Sequence, residues 1–555
     1  MKRIIKIGIV LIFMIIGIIL IPKEEQAVIY KNSSSTTKIT INGTDANYNG
    51  NTLTASNVTV KVGGAGVTAT VQRSEPIAIT NGVQYVLTIT NIPTTANGDL
   101  SLNIAENTLS DKAGNQNIVT PINNTGITID NIAPTTTAPT ATSTTKSVTI
   151  TNKQTDSVSG INSSSIQYGI EKNGTWVWQT SNTFLDLTND TTYPIKTKVT
   201  DNAGNTSESS QGIITTIRAV ARINSTDYTT LASAITAAGT SGEIEIMMIN
   251  HTTENVTVPS DKNIKLLLNG KTITGKTTNE GALTISGTGT MKNTNVGAIQ
   301  NNGTLYINDG TIESTRNSSD SEGFTLVNNK KLVINGGTLK SGNQRGMFTI
   351  FSTDQVEMNG GNVIHEGADS GTAMYINSGT FSMTGGAIQS DSFGLVVNGG
   401  TANSTGGTVT AYSAVLVRNV GKGEFKNTTI KSTGDYAVYN YTGTTNKVII
   451  RNRNSNYGIT GNVNGIVVAT TNTEAGQSSE KVTIYNTGSS YAKVARWLSG
   501  GSVQWSNSTN SSGTHTITIS KANFGNASGN YYVDVYKANS SWTVGDYAGG
   551  VRLEM

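Results

Sequence analysis

One short motif constrains the fold of this chain more than any other feature. A glycine, a small or polar residue and an apolar residue follow one another repeatedly through the central region, and two outlying copies lack the glycine. The middle residue falls at positions 272, 290, 311, 338, 362, 387, 408 and 429. The steps, from 18 (272 to 290) to 27 (311 to 338), suit one coil of three short strands and their turns. We predict a right-handed parallel β-helix over residues 222–470.

Two further patterns belong to this prediction. A polar residue before the turn recurs once per coil, and side chains stacked in this way can hydrogen-bond along the helix axis. A helix from Leu231 to Ala238, with Asp227 as its N-cap, has one apolar face and is predicted to cover the open end of the β-helix. The members of the polar column are Asn269, Asn308, Asn335, Asn359, Thr384 and Thr405.

The composition indicates an all-β protein. Only 35% of the residues are apolar and 14% are charged, and Thr, Ser, Asn and 60 Gly supply much of the rest. Polar residues alternate with Ile, Val and Leu, which is the pattern of half-buried strands. There is no Cys, so disulfides do not stabilise the fold. A net charge of +3 without a run of Lys or Arg gives no support for a nucleic-acid partner.

Residues 1–25 predict export. Lys2, Arg3 and Lys6 precede an apolar run from Ile7 to Ile21. Fifteen helical residues span about 22 Å, less than the roughly 30 Å of bilayer hydrocarbon, which favours a cleaved signal peptide. No clear cleavage site follows, so a retained signal anchor stays open. Either way we expect N-terminal membrane insertion, at least transiently, and an extracellular or cell-surface location.

Two sandwich domains are predicted over residues 31–133 and 134–218. The sequence Asp-x-Ala-Gly-Asn starts at Asp111 and again at Asp201, ninety residues apart, which indicates a repeated domain. The domains resemble the bacterial Ig-like repeats of Gram-positive surface proteins. That resemblance implies a stalk, and in some members a calcium ion at the joint. Asp130, Asp156 and Asp201 would be its ligands here, although Asp in such turns also serves simply to bond its own backbone. No other cofactor is expected.

The central region resembles the pectate-lyase-like β-helix superfamily, through the lead-in Tyr228–Ile249 and the stretch Lys265–Ile273. This fold hosts lyases, hydrolases and adhesins alike. Acidic residues with one Arg recur at the turns before one strand of each coil and form the best catalytic candidate, but a solvated turn needs the same residue types. We therefore expect no enzyme. The catalytic candidates are Asp320, Glu322, Arg345, Asp369 and Asp391.

Residues 480–555 form a last short-stranded module, expected to be a small β-sandwich. The stretches Trp497–Trp505, Gly513–Ile519 and Gly529–Tyr536 resemble the Bsp-like repeat of streptococcal wall proteins. The family has a His where this chain has Phe524, so any role of that His does not carry over. Trp497 and Trp505 are expected in the core. The predicted ligand-binding residues are Trp542, Tyr536 and Tyr547, because aromatic rings can stack on sugars.

Together these patterns predict a non-catalytic surface or secreted protein, of the adhesin type. Its expected partner is a cell-wall or extracellular glycan, or a host or matrix protein. The alternative function is a polysaccharide lyase or glycoside hydrolase that acts on the β-helix surface.

Overall fold

The computed structural model describes residues 29–43, 53–80, 82–123, 125–294, 297–314, 323–341, 348–367, 370–441, 447–451, 459–465, 467–470, 478–487 and 489–554. Within these ranges one α-helix accompanies many strands, which confirms the all-β fold class. The predicted export segment, 1–25, lies outside them. No helix in the ranges given is long and apolar enough to cross a membrane. The chain divides into two compact units, residues 1–218 and 219–555.

The first unit contains two successive groups of short, mainly antiparallel strands. Alternating side chains such as Leu87, Ile89 and Leu102 fill the first core, and Val148 and Ile150 belong to the second. The first group has the strands Ile29–Lys31, Thr37–Gly43, Val58–Val62, Ala65–Val67, Thr70–Arg73, Ile77–Ile79, Gly82–Thr90, Gly98–Ile104, Thr120–Ile122 and Ile127–Ile129. The second has Thr135–Thr136, Thr140–Ser143, Val148–Thr151, Gln154–Thr155, Gln167–Lys172, Thr175–Gln179, Thr183–Phe184, Thr192–Thr200, Thr206–Glu208 and Gly212–Thr215.

The second unit is built around a parallel β-helix of about nine turns. Its strands stack in three columns, named here A, B and C. Column A contains Ile244–Met248, Asn263–Leu267, Ala282–Ser286, Thr304–Ile307, Lys331–Ile334, Gln355–Met358, Thr380–Met383, Thr401–Ser404, Lys422–Lys426, Lys447–Arg451 and Val467–Thr470. Column B contains Thr252–Thr253, Thr272–Thr274, Thr290–Asn293, Thr311–Ser314, Thr338–Ser341 and Asn362–His365. Column C contains Val256–Val258, Thr277–Asn279, Ile299–Asn301, Phe324–Asn328, Phe348–Ser352 and Thr372–Ile376. The later strands Ala387–Val397, Thr408–Val417, Thr429–Asn440 and Ile459–Asn464 run through both B and C.

The repeated motif sets the register of column B. All eight middle positions, from 272 to 429, pair with one another in a continuous parallel ladder. The apolar residue that follows each of them is at most 1% exposed. The motif glycine has a positive φ, for example +76° at Gly361, where an added Cβ would lie 2.7 Å from the carbonyl oxygen of Gly336 in the preceding coil. The spacing therefore predicted the coil correctly, because each motif turns the chain into the same buried strand.

The predicted polar column bonds along the axis through four of its members. Asn308, Asn335, Asn359 and Thr384 are linked by side-chain hydrogen bonds of 2.8–2.9 Å. Asn269 instead donates to the carbonyl oxygen of Met248. These bonds support a structural role for the polar column at this exposed turn.

A second polar ladder, not foreseen from the sequence, is buried inside the helix. Asn279, Asn301, Asn328 and Ser352 end four successive strands of column C, and each is 0% exposed. Each Asn donates through Nδ2 to the next residue of the ladder, at 2.7, 2.7 and 3.0 Å. These bonds satisfy amide groups that would otherwise be costly to bury, except Oδ1 of Asn279 at the start of the ladder, which has no hydrogen-bond partner.

The α-helix, Leu231–Ala237, covers the first coil as predicted. Leu231, Ala234 and Ile235 are buried in the core of the β-helix. The predicted N-cap was wrong, because Thr230 accepts the hydrogen bond from the backbone of Ser233. Asp227 forms an ion pair with Arg222 instead. Arg222 and Asp227 lie in the strands Ala221–Ile223 and Thr226–Tyr228, which form a hairpin. The first of these strands pairs antiparallel with the first strand of column A.

The C-terminal module continues the β-helix. Ser479–Tyr485 pairs antiparallel with the last strand of column A, and His515–Ser520 pairs with it in turn. A four-stranded sheet of Gln504–Thr509, Tyr491–Leu498, Asn530–Ala538 and Val544–Glu554, in that spatial order, completes the module. Ile449 and Val468 of column A belong to the module's core. These shared contacts explain why residues 219–555 form one compact unit.

Candidate functional sites

Three carboxylates meet where the first sandwich passes into the second. Asp130 directly follows the last strand of the first sandwich, and Asp156 and Asp201 lie in two loops of the second. One ligand atom of each lies within 4.8 Å of those of the others. The structure therefore brings together all three residues that the Ig-like resemblance suggested as calcium ligands.

Backbone amides bond to all three carboxylates, and those of Ile132 and Ser159 donate to Asp130. Oδ1 of Asp156 accepts hydrogen bonds from the amides of Ser159 and Gly160, at 2.8 and 2.7 Å. Oδ1 of Asp201 accepts from the amides of residues 203, 204 and 205, at 2.6–2.8 Å. These are the local turn contacts considered as the alternative to calcium, and they also hold the carboxylates in fixed positions.

The second oxygen of Asp156 distinguishes the cluster from ordinary turns. Asp156 Oδ2 is buried and has no hydrogen-bond partner, and Asp130 and Asp201 are 0% and 1% exposed. Carboxylates this close and this buried repel one another unless a cation or a proton intervenes. Carboxylate oxygens are the ligands that Ca²⁺ takes, completed by carbonyl oxygens and water. The residues therefore fit a structural calcium ion.

The outward face of the C-terminal four-stranded sheet carries five aromatic side chains. Trp497 stacks on Tyr532, with ring centroids 5.1 Å apart and planes inclined by 10°. Tyr536 contacts Trp505 at 5.8 Å and Tyr547 at 5.5 Å between centroids. Trp505 and Tyr547 are 51% and 53% exposed. We name these five residues the aromatic face.

The structure corrects the expectations about three tryptophans. Trp497 and Trp505 do not fill the core, because Trp497 and the partner of Trp505, Ala495, lie on the side of the sheet opposite to the buried Val494. Trp542, expected to be the exposed candidate, is half-buried and packs edge-on against Tyr491 with centroids 5.4 Å apart. Of the predicted ligand-binding residues, Tyr536 and Tyr547 contact each other, whereas Trp542 contacts Tyr491. Sequence alternation groups residues by face but does not say which face is covered.

Of the five catalytic candidates, Asp391 lies among the described residues. Asp320, Glu322, Arg345 and Asp369 lie outside the described residues. Oδ2 of Asp391 accepts a hydrogen bond from the backbone amide of Gly367, in the preceding coil, at 2.9 Å. That contact is of the turn-stabilising kind weighed against catalysis.

An aromatic ladder that the sequence analysis missed runs along the outer side of column C. Phe324 stacks on Phe348 with centroids 5.4 Å apart, and Phe351 stacks on Tyr375 at 5.5 Å. Arg418 donates to the hydroxyl of Tyr375 at 2.8 Å. The recurrence of Phe or Tyr at coil spacing could have revealed this ladder in the sequence. Tyr375 is only 8% exposed, so the ladder packs largely on itself and stiffens the middle coils.

His365 is a buried titratable group at the turn between columns B and C. It is 1% exposed, its Nδ1 lies 2.7 Å from the hydroxyl of Ser341, and its Nε2 has no hydrogen-bond partner. Burial lowers the pKa of His365, against the opposing influence of the Asp391 carboxylate. His515, also buried, differs because both of its ring nitrogens have partners.

We expect acid to loosen the coils around His365. Because its pKa is lowered in the folded state, the unfolded chain binds more protons below the ordinary value of about 6.5. Stability should therefore be complete above that pH and fall as the pH drops below it. Hydrogen exchange of Asn362–His365, corrected for intrinsic rates, would measure the effect. His365→Gln should abolish the pH dependence and His251→Gln should retain it; equal acid sensitivity in both variants would refute the assignment.

No protein-family model matches the chain, and no curated protein is found to be similar to it. A crystal structure of titin domains matches with a TM-score of 0.22 and 10% identity, over 34% of this chain and 61% of that one. The chain therefore spans less than two thirds of the titin structure. A family 28 exopolygalacturonase from Yersinia enterocolitica matches with a TM-score of 0.17 and 9% identity, over 58% of this chain and 99% of that one.

At TM-scores this low, the fold assignment rests on the strand pairing described above. That pairing defines the class: a modular all-β protein centred on a parallel β-helix. The three carboxylates between the two sandwiches and the aromatic face are the two candidate functional sites.

Proposed function

We propose that this is a non-catalytic binding protein of the cell surface or extracellular medium, and that its aromatic face binds a glycan. The observation that carries the proposal is the exposure of Trp505 and Tyr547 beside Tyr536 on one sheet. Exposed apolar side chains that form a contiguous patch commonly mark a binding site. Their flat apolar surfaces suit the faces of sugar rings, and the hydroxyl groups of Tyr supply hydrogen bonds.

The Ig-like part acts in this proposal as a spacer. Calcium at Asp130, Asp156 and Asp201 would bind the end of the first sandwich to two loops of the second and stiffen their joint. The apolar segment at residues 1–25 would direct export, as the sequence predicts. The resemblance to Gram-positive surface proteins and to the Bsp-like repeat supports this arrangement. An adhesive role toward a wall glycan follows from it.

Replacing Trp505 should weaken glycan binding strongly. Loss of a central aromatic contact costs about 2 kcal/mol, which corresponds to roughly a 30-fold rise in Kd. Calorimetry with the best ligand from a glycan panel would measure Kd for the unmodified protein and for Trp505→Ala. Trp176→Ala is the matched control, because Trp176 is a partly exposed Trp of the second sandwich that stacks on Trp178.

The same panel separates the competing functions. Unchanged affinity in Trp505→Ala, or binding only to a host or matrix protein, would refute the proposed glycan site. Release of new sugar ends from any member of the panel would favour the alternative, a polysaccharide lyase or glycoside hydrolase.

A further inference from the structure

A carboxylate lies at the centre of the aromatic face. Asp534 is flanked along its own strand by Tyr532 and Tyr536, which point to the same side of the sheet. On the neighbouring strands its pairing partners are Ala495 and Gly550. These two partners are small, so the rings of Tyr532, Tyr536 and Tyr547 lie around the carboxylate, while Lys493 and Arg552 face the same side of the sheet opposite Tyr536 and Tyr532.

The carboxylate of Asp534 interacts with the hydroxyl groups of Tyr547 and Tyr536. The hydroxyl of Tyr547 donates to Oδ1 of Asp534 at 3.4 Å. Withdrawal from water raises the pKa of Tyr547 and of Tyr536, and the negative charge of Asp534 raises both further. Both phenols therefore stay neutral and keep their protons for hydrogen bonding at any physiological pH.

The position of Asp534 is fixed by close packing. A Cβ added at Gly550 would lie 2.0 Å from Oδ1 of Asp534 and 2.8 Å from the hydroxyl of Tyr547. The carboxylate and the hydroxyl thus lie over the backbone of Gly550, and only glycine leaves room for them. A charge held in this way needs no reorganisation when a ligand arrives.

We infer that Asp534 selects the ligand by charge, so that the site takes glycans bearing protonated amines, such as deacetylated amino sugars, and rejects acidic glycans. The inference rests on the proposed glycan-binding function and adds the substrate class. An ammonium group between aromatic rings gains from their negative faces as well as from the carboxylate. A sugar carboxylate in the same position meets a like charge, which disfavours it.

The test compares three oligosaccharides of equal length: glucosamine oligomers, their N-acetylated counterparts and oligogalacturonate. Binding is measured by calorimetry on the full chain, at a pH where the sugar amines are protonated. We expect the amine oligomer to bind about tenfold more tightly than the N-acetylated one, as a charge-assisted hydrogen bond implies, and the acidic oligomer most weakly. Asp534→Asn should bring the amine and N-acetyl affinities within about twofold of each other.

Asp534→Asn preserves the shape of the side chain, and the remaining affinity for the N-acetylated oligomer reports that the site is folded. Asp261→Asn is the control, because it removes the same net charge from an exposed position at the first coils of the β-helix. It should keep the tenfold preference. A preference that survives in Asp534→Asn while binding still depends on Trp505 overturns the inference and leaves the proposed function standing. Failure to bind any of the three oligomers overturns the inference, and failure to bind any member of the glycan panel overturns the proposed function as well.

Discussion

Calcium is expected to raise the unfolding temperature of the first unit by roughly 5 to 10 °C. At a concentration one hundred times its Kd, a ligand that binds only the folded state stabilises it by about 2.7 kcal/mol. For a unit of about 190 residues, each kcal/mol corresponds to about 2–4 °C. The gain comes from neutralising three clustered carboxylates, one of which has a buried oxygen without a hydrogen-bond partner. Scanning calorimetry with and without Ca²⁺, after treatment with a chelator, would measure it.

Asp156→Asn should remove most of this rise, because it takes one charged ligand from the cluster. Asp111→Asn is the matched control. Asp111 begins the equivalent turn of the first sandwich and accepts the same kind of backbone hydrogen bonds, from Ala113 and Asn115. It does not belong to the three-carboxylate cluster. Asp111→Asn should lower stability with and without calcium and leave the calcium increment intact. An equal increment in both variants would show that the ion binds elsewhere.

Asn328→Ala is expected to destabilise the middle coils of the β-helix by about 2–4 kcal/mol. Asn328 is 0% exposed, accepts from Asn301 and donates to Ser352. It also donates to the carbonyl oxygen of Gln355 at 3.0 Å. Its removal leaves several buried polar groups without a partner, and each costs about 1–3 kcal/mol when unsatisfied.

The exposed ladder supplies the comparison for this prediction. Asn335 also bonds to an Asn on either side, but it lies at a solvated turn, where water can replace the lost partner. Asn335→Ala should therefore cost only about 0.5–1 kcal/mol. Hydrogen exchange of the strands Phe324–Asn328 and Lys331–Ile334 would give the local opening free energies. If Asn328→Ala and Asn335→Ala lowered the opening free energy by similar amounts, burial would not be the reason that the inner ladder stabilises the β-helix.

Much of the β-helix was predictable because every coil has the same simple requirement. Each coil needs a tight turn followed by a buried strand, and a Gly-small-apolar motif satisfies both in three residues. The eight motif positions therefore fell into a single register. The single apolar face of the capping helix located it, although its N-cap was assigned to Asp227 and not to Thr230. Several residues near a helix start can serve as caps, and only the geometry of the turn selects one.

The candidate sites were predictable to different degrees. Asp130, Asp156 and Asp201 came from a family resemblance, and the structure placed them together. On the aromatic face, Tyr536 and Tyr547 were foreseen, whereas Trp497 and Trp505 were assigned to the core. Trp542 was predicted to be the exposed ligand-binding residue but is half-buried. The central Asp534 was not considered, because nothing in the sequence marks one Asp among 36 acidic residues as surrounded by rings.

The sequence by itself determined the all-β class, the coil length of the β-helix and the buried face of each motif strand. These depend on alternation, turn residues and repetition, which are local properties of the chain. Only the tertiary structure decided that the C-terminal module continues column A and that Trp505 faces outward. It also decided that a second, buried Asn ladder runs along the ends of the column C strands. Such features depend on which strand becomes a neighbour and which face that neighbour covers. Contacts between distant residues fix both, and no local pattern records them.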